Sequence, residues 1–198
     1  MPTLTATPTY ASRATALADT WPGKILIGLS ATAVVAAAAH VAIPLPFTPV
    51  PLTLQPLAVL AVGLALGPVA GFFTLLAYLA EGAIGLPVFS PAGPGGMAQL
   101  LGPSGGYLMA YPLVAAIAGS VKRLAASSLS NFFSALIACT LATVLLFASG
   151  ALWFAQYAQH SLYATWIGAV APFLPGEIVK VFVAAGVYSA LTRVKRIV

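Results

Sequence analysis

Charge in this chain sits almost only where long apolar runs end, and that arrangement limits the fold more than any motif does. The stretches 25–43, 54–79, 107–121, 129–149 and 175–192 are apolar nearly throughout. About 20 consecutive apolar residues span the hydrocarbon core of a bilayer as a helix. Over the whole chain 61% of residues are hydrophobic and 6% charged, with a mean hydropathy of +1.02, against about 45–50% apolar and about 25% charged in an ordinary soluble domain. A water-soluble fold of this composition has too little polar surface to cover itself. The chain is therefore expected to be an all-α integral membrane protein.

The first run carries small residues at four-residue spacing, Gly28, Thr32 and Ala36, a face that lets helices approach closely. It serves either internal packing or a sliding contact with a partner. In PLPFTPVP, Pro44, Pro46, Pro49 and Pro51 remove amide donors and force an extended segment, read as an apolar loop that packs on something. Gly67 and Pro68 interrupt the run 54–79, which predicts two short helices over 55–66 and 68–80, each about 18–20 Å long. Residues 81–106, EGAIGLPVFSPAGPGGMAQLLGPSGG, are dense in Gly and Pro yet apolar. Irregular backbone at membrane depth is tolerated only where protein buries it or where it lines a cavity, so this segment is a candidate cavity wall. Further helices are predicted over 107–121, 129–149 and 175–192. Between the last two, residues 150–174 mix aromatics with amides, a composition suited to the headgroup interface. The expected architecture is a six-transmembrane-helix bundle with irregular outer loops forming a ligand cavity. It forms one membrane domain over 24–198, behind a flexible leader over 1–23 that is not a signal peptide, because more membrane follows it.

Positive charge sets the orientation. With a cytoplasmic amino terminus, six crossings put Arg13, Lys24, Lys122, Arg123, Arg193, Lys195 and Arg196 inside. Both termini are then cytoplasmic, the chain lies in the plasma (inner) membrane, and the proline loop, the Gly/Pro region and the aromatic loop share the outer face. The net charge of +5 is not gathered into a basic stripe, so nucleic acid is not an expected partner. Cys139 is the single cysteine, and neither His40 nor His160 has a carboxylate or thiol at ligand spacing, so no metal is expected. No phosphate-loop string occurs, and no nucleophile has a base in reach, so the chain is not expected to be an enzyme.

The eighth basic residue is the anomaly. Lys180 lies one turn inside the final span, with Glu177 three residues before it on the same helix face. Charges at membrane depth are costly and face an interior cavity or a partner. Either the two neutralise each other, or they meet a polar ligand from the outer side; a purely structural membrane protein would not need them there. Glu81 is either an ordinary helix-end carboxylate or part of a site at the mouth of the Gly/Pro region. Gln55 is either a buried amide or a ligand contact, and Tyr107 and Tyr111 are belt aromatics or site residues.

Four segments carry a resemblance: IPLPFTPVPLTLQPLAVL at 43–60, LGPVAGFFTLLAYLAEGAIGLPVF at 66–89, LGPSGGYL at 101–108 and FLPGEIVK at 173–180. In this order and spacing they resemble BioY, the biotin-specific substrate-binding subunit of energy-coupling factor (ECF) transporters, over about 25–192. The resemblance implies a six-helix bundle that binds biotin near the outer surface under the first outer loop. It also implies a transmembrane coupling protein and two ATPase subunits as partners. By the same resemblance Glu177 and Lys180 contact the vitamin, with Glu where the family motif commonly has Asp. The Gly/Pro region lacks the Asn or Arg of some relatives, which leaves Glu81, Ser90 and Tyr107 as candidates for a second anchor. Biotin offers ureido N–H donors, a ureido carbonyl, an apolar thiolane and a carboxylate, so its site needs acceptors, a cation and an apolar wall. Glu177 or Glu81 can accept from the ureido group and Lys180 can pair with the carboxylate. Phe47, Val88, Phe89 and Tyr107 can form the wall. A solitary biotin transporter that needs no ATPase module remains the alternative.

Overall fold

A computed structural model describes residues 20–125, 127–159 and 161–194. Most of the expected leader, together with Arg13, His160, Lys195 and Arg196, lies outside the described residues. The elements are α1 (Trp21–His40), β1 (Ala42–Leu45), β2 (Thr48–Thr53), α2 (Gln55–Leu66), α3 (Pro68–Ala83), α4 (Gly96–Leu100), α5 (Gly105–Ala125), α6 (Asn131–Ala158), α7 (Leu162–Thr165), a π-helical turn (Trp166–Val170) and α8 (Leu174–Val194). Four of these, α1, α5, α6 and α8, are long and apolar enough to cross a membrane, while α2 and α3 are shorter apolar helices. The chain is a multi-pass helical membrane protein.

Local chemistry sets the ends. Thr20 caps α1 by accepting from the Gly23 amide at 3.2 Å, which satisfies one of the amides a helix start leaves unpaired. Trp21, Pro22 and Gly23, expected in the leader, form the first turn of this helix. The break between α2 and α3 falls at Gly67, whose φ of +81° is one that L side chains rarely adopt. Pro68 then opens α3 at a position where its missing N–H costs nothing.

Small residues let the centre close. A Cβ on Gly63 would stand 2.4 Å from the Ala115 carbonyl oxygen, and one on Gly119 would stand 2.6 Å from the Gly67 carbonyl carbon. The backbones of α2 and α5 therefore nearly touch, as small residues permit in helix pairs that have no hydrophobic drive from water. Around this contact the core includes Val59, Leu60, Leu75, Tyr78, Val114 and Cys139, all fully buried.

Two further segments depart from the sequence expectation. The proline run is not a plain loop but an antiparallel hairpin pairing Ala42 with Thr53, Ile43 with Leu52 and Leu45 with Thr48. None of these partners is a proline, so the residues without an amide donor stay out of the paired positions. The fifth predicted span does not stop at 149. Helix α6 continues to Ala158, 28 residues in all, about 42 Å at 1.5 Å per residue and longer than a hydrocarbon core is thick. Its far end stands beside the Gly/Pro segment, where the Trp153 indole N–H donates to the Gly102 carbonyl at 2.8 Å.

Candidate ligand-binding site

Helices α2, α5 and α8 all begin at one end of the bundle, the end the hairpin covers. Their N-termini carry partial positive charge, and Gln55, Tyr107 and Glu177 stand in or near their first turns. The hairpin is held down by Thr48, whose hydroxyl donates to the Gly168 carbonyl at 2.6 Å, and by Val50, buried against Phe154, Ala169 and Phe173. Beneath it lies a cavity with about 550 Å³ of space between atoms, counting the part open to the outside.

The floor is the charged pair. Glu177 and Lys180 are 5% and 6% exposed, and Lys180 Nζ donates to Glu177 Oε1. The other carboxylate oxygen, Oε2, is buried with no hydrogen-bond partner among the described residues. A buried acceptor left unpaired costs about 1–3 kcal/mol, more when charged, so this wall holds unused capacity to accept a hydrogen bond. The Lys180 ammonium has three donors, of which the Glu177 bond uses one.

The remaining walls are set by hydrogen bonds between helices and irregular segments. Gln55 donates through Nε2 to the Tyr78 hydroxyl. Tyr107 donates from its hydroxyl to the Ala169 carbonyl and stands edge-on to Phe147, with ring centroids 6.4 Å apart. Gln99 ties the Gly/Pro segment into a compact wall, accepting from the Gly95 amide at 3.1 Å and donating to the Ser90 carbonyl at 3.3 Å. The result is an apolar chamber of Tyr, Phe and Leu faces, with a few amides, one carboxylate and one ammonium aimed inward. That combination suits a small, partly apolar guest that carries hydrogen-bond donors and an anionic group.

The sequence model of the BioY family matches residues 12–196. The chain belongs to the BioY family. Among its relatives, the biotin transporter BioY of Rhodobacter capsulatus is 38% identical over 169 residues, covering 80% of this chain and 86% of that protein. The biotin transporter BioY of Lactococcus lactis subsp. cremoris is 36% identical over 140 residues, 70% of this chain and 73% of that protein. The crystal structure of the S-component for biotin from an ECF-type ABC transporter is 27% identical, with a TM-score of 0.78 over 94% of this chain and 95% of that one.

In this BioY-family chain Glu177, Lys180, Gln55, Ser90, Tyr107 and Tyr111 line the cavity, and Glu81, Phe47, Phe89 and Val88 do not. Glu81 Oε1 instead accepts from the Thr32 hydroxyl of α1 at 3.1 Å. Phe89 turns inward, its ring seated where a Cβ on Gly82 would be and edge-on to Tyr78 at 5.5 Å. Phe47, at the hairpin turn, is 61% exposed. Sequence reasoning passes over Thr53, Gln99, Ser104, Phe147 and Phe173, which also form the wall. Gln99 carries a usable signal, being the one amide within residues 81–106.

Proposed function

We propose that this chain is the biotin-capturing membrane subunit of a vitamin uptake system, and that biotin binds in the cavity beneath the hairpin. The observation that carries the reading is the buried Glu177 and Lys180 pair, with Oε2 unpartnered on the cavity wall. In this arrangement Glu177 Oε2 accepts a ureido N–H and Lys180 pairs with the valerate carboxylate. The thiolane and alkyl chain lie against Tyr107, Phe147 and Phe173. Family membership and relatives named as biotin transporters support the choice of ligand.

The same reading takes α2 and α3 as the two further crossings, for six in all. The ends of α1, α5 and α8 that carry Lys24, Lys122, Arg123 and Arg193 are opposite the cavity. The positive-inside rule then supports a cavity facing outward and cytoplasmic termini in the inner membrane. Delivery inward depends on an ECF module, a coupling protein with ATPase subunits. Likeness to a solved S-component of an ECF-type ABC transporter supports this part of the reading.

Equilibrium binding of biotin to the purified chain in detergent tests the core of this reading, with riboflavin and thiamine as controls. Saturable one-to-one binding of biotin alone is the expected result. Binding of all three, or of none, overturns it. Uptake into proteoliposomes with and without an ATPase module then separates a coupled subunit from a solitary carrier.

A further inference from the structure

A second hollow lies at the other end of the bundle and plays no part in the cavity. It is an open groove between α1 and α3, closed at one end by the α2–α3 turn and the end of α5. Its body is apolar, with Ile25 and Leu29 from α1 facing Val69 and Phe73 from α3. Helix α1 is the least covered of the four long helices, which is why its flank stays open.

Two cations stand at one end of this groove. Lys24 lies in the first turn of α1, its ammonium 5.9 Å from the centre of the Trp21 ring. Arg123 lies in the last turn of α5 and reaches back over the turn, its guanidinium 3.1 Å from where a Cβ on Gly67 would be. Neither pairs with a carboxylate among the described residues, where the one ion pair is Glu177 with Lys180; Asp19 lies outside the described residues. A groove with a cationic mouth and a hydrocarbon body is complementary to an amphiphile with an anionic head. A transmembrane helix of a partner would need an acidic side chain at that level, whereas the inner leaflet supplies anionic headgroups at the depth of Lys24 and Arg123.

We infer that this groove seats one anionic phospholipid, its phosphate held between Lys24 and Arg123 and an acyl chain lying along Ile25, Leu29, Val69 and Phe73. The guanidinium offers two parallel donors to the phosphate oxygens and the ammonium a point charge. The inference rests on the orientation proposed above and not on the identity of the vitamin.

Native mass spectrometry of the full chain in detergent, with phosphatidylglycerol or phosphatidylcholine added, tests it. We expect one phosphatidylglycerol retained per chain, with a preference over phosphatidylcholine of about tenfold or more, as two basic side chains near the surface provide. The double variant Lys24→Gln, Arg123→Gln should bring the preference near unity while its unfolding midpoint in lipid-free detergent stays at the wild-type value. If that variant does not fold, Lys24→Gln alone is read and should lower the preference several-fold. Lys122→Gln removes a cation at the same end that sits over the Tyr188 ring at 4.8 Å, outside the groove, and should leave the preference intact. Glycerol 3-phosphate, a head without tails, should not displace the lipid. Equal retention of both lipids, an undiminished preference in the folded variants, or an equal loss on Lys122→Gln each overturns the assignment.

Discussion

The phenolic oxygen of Tyr78 accepts a hydrogen bond from Gln55 Nε2 at 2.7 Å, and its own proton goes to the Val88 carbonyl at 2.6 Å. One hydroxyl on α3 thus holds an amide of the cavity wall in place and pins the start of the Gly/Pro segment. Tyr78→Phe keeps the ring against Phe89 and removes both bonds. Leaving such groups without partners costs about 1–3 kcal/mol, so the unfolding midpoint in detergent should fall. Biotin affinity should fall several-fold as well, because Gln55 loses its orientation. A lowered midpoint with unchanged affinity would remove Gln55 from the ligand contacts.

Glu177 and Lys180 separate a stabilising role from a ligand role. Removing one partner of a buried ion pair strands the other and costs about 3–5 kcal/mol, while replacing both with neutral groups of similar volume is often tolerated. Lys180→Ala should therefore lower stability and also weaken biotin binding by about tenfold or more, the size of a lost charge-assisted hydrogen bond. The double variant Glu177→Gln, Lys180→Met should recover most of the stability and none of the affinity. Recovery of both, in thermal scans and biotin titrations of the same preparations, would reduce the pair to mutual neutralisation.

What is legible in the sequence is what acts locally or violates the solvent. The break at Gly67 and Pro68 can be read because both residues act through their own backbone, and the structure turns there. Charges and amides in an apolar run announce themselves, so Glu177, Lys180 and Gln55 are readable as interior groups and all three line the cavity. The end of α6 is not readable. Gly150 and the aromatics after it suit an interface, yet the helix continues because Gly150 packs under the Tyr107 ring and Trp153 reaches Gly102, contacts between residues far apart in sequence. The pairing of the proline segment is hidden for the same reason: its extended backbone is encoded locally, its register is not. Phe147 and Phe173 look like any other apolar residue until the fold turns them inward, and Phe89, which looks like wall, is drawn away by the space over Gly82.

Two glycines of α2 and α6 should fail in different ways. On Gly63 a methyl group meets backbone, the Ala115 carbonyl oxygen at 2.4 Å, which cannot swing aside, so Gly63→Ala should force α2 from α5. We expect strong destabilisation, by about 1–3 kcal/mol as for other overpacked contacts. On Gly150 the methyl meets the Tyr107 ring at 2.1 Å, a side chain that can move only by leaving the cavity wall and its bond to Ala169. Gly150→Ala should weaken biotin binding more than it lowers the unfolding midpoint. Gly186→Ala, with nothing within 4 Å of its Cβ, is the control and should be neutral or slightly stabilising. Midpoints and biotin titrations on the three variants check the order.

Glu81 gives the sharpest contrast between sequence and structure. As the one carboxylate beside the Gly/Pro region it is a natural second anchor for the vitamin, yet it lies outside the cavity wall and joins α3 to α1 through Thr32. The Thr32 hydroxyl is also within 2.9 Å of its own Leu29 carbonyl, so it keeps an acceptor even when the carboxylate changes. Glu81→Gln preserves the shape and an oxygen for Thr32 while removing the charge. Biotin affinity should stay within about a factor of two, a difference of under half a kcal/mol. A loss of about tenfold would equal a whole hydrogen bond to the ligand, and would mean that Glu81 leaves Thr32 and turns into the cavity when biotin binds.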